Sequence, residues 1–446
     1  MTELEHRLYG VKNLLLAELN LLAEQGRPAE TLEALRREIS EQPASEIDAD
    51  AYWQRLAQLP PAAGWAYVEP DEYDAILATL TAPAALPAVD SNSRFDKLHG
   101  GVLGRCVGMM LGKPLEGMGT AANIRRYLEH AAAYPLQGYV PKLAYRPDDV
   151  FFSPIFDHWD RATRGNITQV IQDDDIEYVI AAYDILKNYG PEFTTADVAQ
   201  FWLSHFAYGQ VHTAEHIVYR NLVNGMPATE VAGYRNPFRE WIGAQIRTDV
   251  YGYINPGQPR RAAAMAYRDA LLTHRRNGLY GGMWAAALVA AAYVLESPAA
   301  VIRAALAEIP PGSRFHEAIS DVLSWYESGE DWETTLGRIQ QTHGAYYRAD
   351  EGFNWVQTIP NACLVALGLL HGEADFGHGI AVAVMGGWDT DCTGATVGSV
   401  LGVMKGAKAL PAGWTAPLND TLESYIPGYN RMGIRELAEG IDGLIR

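Results

Sequence analysis

The sequence predicts an all-α protein, a compact bundle of many helices preceded by a small N-terminal helical extension. Three observations carry that expectation. Apolar residues recur at steps of three and four along most of the chain, the period of a helix face. No stretch reads as strand-rich, and no repeat of solenoid period occurs. Two stretches space glycines four apart: Gly100, Gly104, Gly108 and Gly112, then Gly394, Gly398 and Gly402. Glycine costs a helix interior about 1 kcal/mol relative to alanine. Such rows therefore imply close approach of another helix, or of a ligand, along that face.

The 446 residues suffice for one large domain plus an extra module, and 48% hydrophobic with 20% charged residues describes a globular protein. A net charge of −19 argues against a nucleic-acid partner, which needs a basic surface, and suits a protein that concentrates divalent cations. Cys106, Cys363 and Cys392 are too few and too scattered for a disulfide framework or a thiolate zinc site. The N-terminus lacks a basic-then-apolar signal pattern, and apolar runs such as Met283 to Leu295 fall short of a membrane span. The expected home is a reducing cytoplasm, with no membrane partner.

Residues 1–90 read as a helical module and its linker. Leu4, Leu8, Val11, Leu15, Leu19 and Leu22 line one helix face, which Gly26 and Pro28 end. A second helix is expected from Glu30 to Ile39, and a third through Tyr52, Trp53, Leu56 and Leu59. The leucine stripe is a packing surface, against the rest of the chain or against a second copy in a homo-oligomer. The Ala/Pro-rich stretch 81–90 reads as a semi-rigid linker.

Residues 91–446 form the second unit. Asp96 to Gly112 is the first glycine-spaced helix, stopped by Lys113-Pro114, with Glu116 in the loop beyond. Arg105 and the short apolar length disfavour membrane dimerisation through GxxxG. The stretch 134–166 is irregular and aromatic, the kind of long loop that is usually functional. A helix starts at Asp173-Asp174-Asp175, with Ile176, Val179, Ile180, Tyr183 and Leu186 on its apolar face. Thr194 to Asp197 opens another, and a long polar-aromatic stretch runs from Tyr208 to Gly257, with Gly243 to Asp249 as a candidate polar lining. Helices follow at Arg261–Ala270, Gly281–Leu295, Ala299–Ala307, Phe315–Leu336 and Thr358–Leu370.

Two acidic clusters sit at helix starts. In the first, one aspartate caps and the helix dipole favours the others by about 0.3–1 kcal/mol each. Mutual repulsion opposes this, and a cation would resolve it; a solvated acidic helix start is the alternative. In the second, Asp389, Asp391 and Thr393 would be oxygen ligands suited to a hard cation such as Mg²⁺; an Asp N-cap followed by a core helix is the alternative. Asp173, Asp174, Asp389, Asp391 and Glu116 together supply enough carboxylates for two divalent ions. There is no HExxH, no P-loop and no GxSxG elbow.

From about Asp96 to Gly406 the chain resembles the ADP-ribosylglycohydrolase family, an all-helical fold with a binuclear Mg²⁺ site. Its glycine helix running into a Pro-x-Glu segment is matched by Gly108 to Glu116. Its Thr-Asp-Asp-Thr motif is matched by Gln172-Asp173-Asp174-Asp175, and its Asp-Thr-Asp-Thr motif by Asp389-Thr390-Asp391-Cys392. A Thr-His pair corresponds to Thr273-His274. The resemblance implies a hydrolase of an N- or O-glycosidic ribosyl bond in an ADP-ribosylated protein or small molecule. It implies two Mg²⁺ ions, with Mn²⁺ as the alternative, held by Asp173, Asp174, Asp389 and Asp391, with Gln172 at a ligand position. Glu116 and Asp174 take catalytic roles, Glu116 as the base that activates water or as a gate over the metals. Met109, Gln172, Asp175 and Cys392 depart from the family pattern, and thiols are poor Mg²⁺ ligands. Other readings are a hydrolase of a different nucleoside-like molecule, a non-catalytic relative like the lens crystallins of this fold, and a scaffold whose N-terminal helices bind a partner.

Overall fold

The computed structural model describes residues 8–153, 157–344 and 354–445. Two antiparallel helices, Arg94–Gly112 and Thr390–Lys405, form its spine and meet through their glycines. Gly100 faces Gly402, Gly104 faces Gly398, Gly108 faces Gly394, and Gly112 faces Thr390. A Cβ added to any of these first-helix glycines would stand under 3.0 Å from the carbonyl oxygen opposite. The glycine rows are therefore a seam between two backbones, and only hydrogen fits there.

The remaining faces of both helices are buried in one large core with Val102, Val107, Met110, Val397, Val400 and Leu401. Beside them lies Asn277–Ala292, buried along its whole length, as a helix that is apolar all round must be. Pro259–Ala270, Pro298–Leu306 and Thr358–His371 pack around it. Thr195–His205 carries the expected N-terminal cap: Thr194 and Asp197 satisfy each other's backbone N–H groups.

The stretch expected as one helix over Phe315–Leu336 is two, Arg314–Glu327 and Trp332–Thr342, parted at Gly329 with φ +85°. Helices Tyr73–Thr79, Ala121–His130, Thr213–Val223 and Phe376–Met385 add to the expected set. The strands among the described residues are two-residue segments, Leu422–Glu423 and Arg431–Met432, paired antiparallel. No described helix is long and apolar enough to cross a membrane.

The N-terminal helices Val11–Glu24, Ala29–Glu41 and Ala49–Ala57 share a small core of their own. Leu15, Leu19 and Leu22 face into it, against Leu32, Leu35, Ile39, Tyr52 and Leu56. Val11 is 46% exposed, and Leu4 lies outside the described residues. Leu14 turns the other way and packs with Ala214, Ile217, Phe238 and Trp241. Buried polar bonds reinforce this junction. Glu18 accepts from Arg239 at 2.7 and 2.8 Å, Gln25 donates to Glu240 at 2.7 Å, and Gln357 donates to Glu24 at 2.6 Å. In the segment that follows, Glu69 accepts from Arg314 at 2.8 Å and Arg276 at 2.6 Å. Residues 81–90 carry no helix or strand.

Candidate active site

Because the spine helices run antiparallel, the C-terminus of one lies beside the N-terminus of the other. Thr390 Oγ1 donates to the Gly112 carbonyl at 2.9 Å, joining the two ends. Beyond Gly112 a short 3₁₀ turn, Lys113–Leu115, delivers Lys113 and then Glu116. The loops on either side are also tied: Trp388 N donates to Gly119 O at 2.9 Å, and Thr120 bridges Gly387. Gly387 has φ +78° and would carry a Cβ only 2.6 Å from Gly119 O, so glycine is required there. Asp389 N donates to Asn361 Oδ1 at 3.0 Å, which holds the acidic turn from the Thr358–His371 helix. The third contribution is the start of Asp174–Tyr189, where Asp173 caps by accepting from Asp175 N at 2.9 Å.

These three segments bring Glu116, Asp173, Asp174, Asp389 and Asp391 together around Lys113. The Lys113 ammonium lies 2.5 Å from Glu116 Oε2, 2.5 Å from Asp173 Oδ2 and 2.9 Å from Asp391 Oδ2. Burial works against this ammonium, but Asp173, Asp391 and Glu116 outweigh it and hold its pKa well above the ordinary value. Burial, together with Asp391, pushes Glu116 well up, with Lys113 opposing. Burial and the neighbouring Asp173 do the same to Asp174, and burial and Asp391 to Asp389. Asp391 is also penalised by burial, yet Lys113 and hydrogen bonds from its neighbours bring it below its ordinary value.

Asp175 belongs to a different pair. Arg105, 1% exposed, donates to Asp175 Oδ1 and to Asp175 O at 2.8 Å each, and to Asp249 Oδ2 at 2.9 Å. The charge of Asp175 is thus answered from the glycine helix. Donor atoms of Asp173, Asp175 and Asp391 lie within 4.8 Å of one another, as do those of Asp174, Asp175 and Cys392, and those of Asp389, Asp391 and Cys392.

A cavity of about 420 Å³ opens over this centre. Its floor is Lys113, Glu116, Asp173, Asp174 and Asp389, and its walls include Tyr9, Tyr178, Trp355 and Tyr425. Gln172 reaches it from an exposed position at the edge. Two expected participants stand apart. Thr393 does not line the cavity; its hydroxyl donates to Thr390 O at 3.3 Å inside the helix. Thr273-His274 is fully buried behind the wall, the hydroxyl 2.6 Å from His274 Nδ1, and bonded to Arg247 at 2.7 Å. Arg247 in turn holds Glu215, a lining carboxylate, at 2.7 Å. From the irregular loop, His158 lines the cavity, while Phe152 and Trp159 pack on Tyr127 at 5.8 and 5.0 Å.

Sequence reasoning missed Lys113, Glu215 and Tyr9 as parts of the site. Gly243 carried a signal for Glu215, since a Cβ there would collide with its carboxyl group. Tyr9 comes from the N-terminal module, stacks on His216 at 3.9 Å, and accepts from Thr213 N at 2.8 Å.

No curated protein matches the chain. A solved structure described as an ADP-ribosylglycohydrolase-related protein complex shares 19% identity, with 80% of this chain and 100% of that one covered and a TM-score of 0.48. The family model for ADP-ribosylglycohydrolase matches residues 90–445, which include every acidic segment of the cavity floor. On that match, the chain belongs to the ADP-ribosylglycohydrolase family.

Proposed function

We propose that the chain hydrolyses an N- or O-glycosidic bond to a ribosyl group, carried by an ADP-ribosylated protein or small molecule. Family membership supports glycosyl hydrolysis. The observation that carries the reading is the convergence of Glu116, Asp174 and Asp389 on the floor of one aromatic-walled cavity. Its volume, about 420 Å³, lies within the roughly 300–1,000 Å³ usual for small-molecule sites.

The acidic groups fit a divalent cation, Mg²⁺ first and Mn²⁺ as the alternative. Asp173 and Asp391 are engaged by Lys113, whereas Asp174 and Asp389 make no ion pair among the described residues. Asp389 and Asp391 would hold an ion on one side of Cys392 and Asp174 with Asp175 on the other, the thiol being a poor ligand in either set. When bound, it would supply Lewis-acid polarisation of a ribose hydroxyl or of water.

The chain's own groups do the rest. Water adds to the anomeric carbon as the glycosidic bond breaks, and that bond's electron pair leaves with the aglycone. Glu116, on the cavity floor beside Lys113, takes the proton of the attacking water. Asp174 faces the positive charge that grows on the oxocarbenium-like centre. Tyr178, Trp355 and Tyr425 give flat apolar walls for a ring of the substrate. Incubating the protein with Mg²⁺ and a panel of ribosylated compounds, and measuring released ribosyl product, tests the reading. Absence of turnover across N- and O-linked members counts against it.

One observation favours a nucleoside-like substrate without phosphates. The described lining offers Lys113, His158 and His212 as its basic groups and no arginine, against five carboxylates. Arg forks, the usual bidentate partners of a diphosphate, are missing from that described lining, and two of the three helix starts that reach it carry aspartates. Comparing ADP-ribosyl compounds with their phosphate-free counterparts separates the two.

A further inference from the structure

Two cations in a hydrolytic centre of this kind lie roughly 3.5–4 Å apart and share carboxylates from several elements. Here those carboxylates already have a cation among them. Lys113 Nζ lies 2.5 Å from Glu116 Oε2, 2.5 Å from Asp173 Oδ2 and 2.9 Å from Asp391 Oδ2. The three oxygens come from three separate segments of the chain; the ammonium donates hydrogen bonds to Glu116 and Asp391 and forms an ion pair with Asp173, whose Oδ2 accepts no hydrogen bond. The side chain is 8% exposed. Pro114 follows it directly and the 3₁₀ turn Lys113–Leu115 fixes its origin.

We propose that the Lys113 ammonium fills one of the two cation positions of this acidic centre, so that the chain holds at most one divalent ion. Oxygens closed around an ammonium at hydrogen-bond distance leave no space for an ion among them. A divalent ion placed there would also face the tethered positive charge at close range with little water between. Carboxylates remain for the second position, because Asp174 and Asp389 line the same cavity and make no ion pair among the described residues. The lysine brings one positive charge in place of two, and it cannot be chelated away. The inference rests on the metal-assisted reading for the kind of ion, and on geometry alone for the number.

Counting Mn²⁺ per full-length chain, by calorimetric titration and by electron paramagnetic resonance, tests it without any substrate. The wild type is expected to bind one Mn²⁺ or none, with no Mn–Mn dipolar broadening. Lys113→Ser is expected to take up one ion more than the wild type. Lys113→Arg, which keeps the charge, is expected to stay at the wild-type count. Two Mn²⁺ per wild-type chain overturn the proposal, as does a Lys113→Ser count equal to that of the wild type. If Lys113→Ser does not fold, the wild-type count still decides. A protein that gains an ion in Lys113→Ser but turns over no ribosylated compound sinks the hydrolase reading and keeps this one.

Discussion

Gly108 and Gly394 meet backbone to backbone, each so close to the other's carbonyl that neither position has room for a methyl group. This contact sets the distance between the two spine helices, and so the separation of Glu116 from Asp389 at their ends. Gly108→Ala or Gly104→Ala is expected to cost roughly 1–3 kcal/mol or more through overpacking. Urea denaturation checks this, and Gly413→Ala, with open space around it, is the control expected to change little. Equal stability of the seam variants would show that the helices can part without loss.

Arg105 ties the same seam to the first acidic cluster, at Asp175. Removing it strands Asp175 and Asp249, both 0% exposed, without a counter-charge. Arg105→Met should lose about 3–5 kcal/mol by denaturant unfolding, the usual result of breaking one side of a buried ion pair. A loss under about 1 kcal/mol would mean that the network is not holding those carboxylates.

Much of this arrangement could be read from the sequence, and the reasons are local. Glycines four apart in an otherwise apolar helix are costly enough to demand a close neighbour, so both halves of the seam stood out. Aspartates at helix starts stood out because capping accounts for only one of them. Lys113 did not. A lysine at the end of a helix is ordinary, favoured there by the helix dipole, and its partner Asp391 is 278 residues away. Asp175 read as an extra acidic group because its partner Arg105 lies 70 residues earlier, on another helix. Thr213–Val223 was hidden by His212, Glu215 and His216, polar residues that the fold buries or lines a cavity with.

The N-terminal module should respond to pH through Glu24. Burial pushes its carboxyl up to about 8 against an ordinary 4.5, although Arg314 opposes the shift. The unfolded chain releases this proton near 4.5, and the folded chain keeps it until about 8. Stability from this group is therefore full below about 4.5 and is lost as pH rises towards 8. Melting temperatures of wild type and Glu24→Gln between pH 5 and 8 are expected to show the wild type falling more steeply. Parallel curves would place the proton elsewhere.

A chain starting near Ser91 lacks the cavity wall at Tyr9 and the packing of Leu14. It also leaves Arg239 and Glu240 without Glu18 and Gln25. Lower melting and, on a confirmed substrate, a raised KM are expected. Identical melting and kinetics would mean that the module is neither a wall nor a support.

Cys392 stands where the family pattern has a hydroxyl, and its thiol is buried beside the acidic floor. Cys392→Thr is expected to tighten Mg²⁺ binding in calorimetry, since oxygen is the better ligand for that ion. Unchanged affinity would leave Cys392 as packing only.

The central claim is that the cavity floor breaks a ribosyl bond. Its most direct measurement is single-turnover release of ribosyl product from a substrate found in the panel, comparing wild type with Glu116→Gln at saturating Mg²⁺. Loss of a general base predicts a rate lower by roughly 10²–10⁴-fold with Mg²⁺ affinity little changed. A Glu116→Gln protein that keeps the full rate would contradict the account.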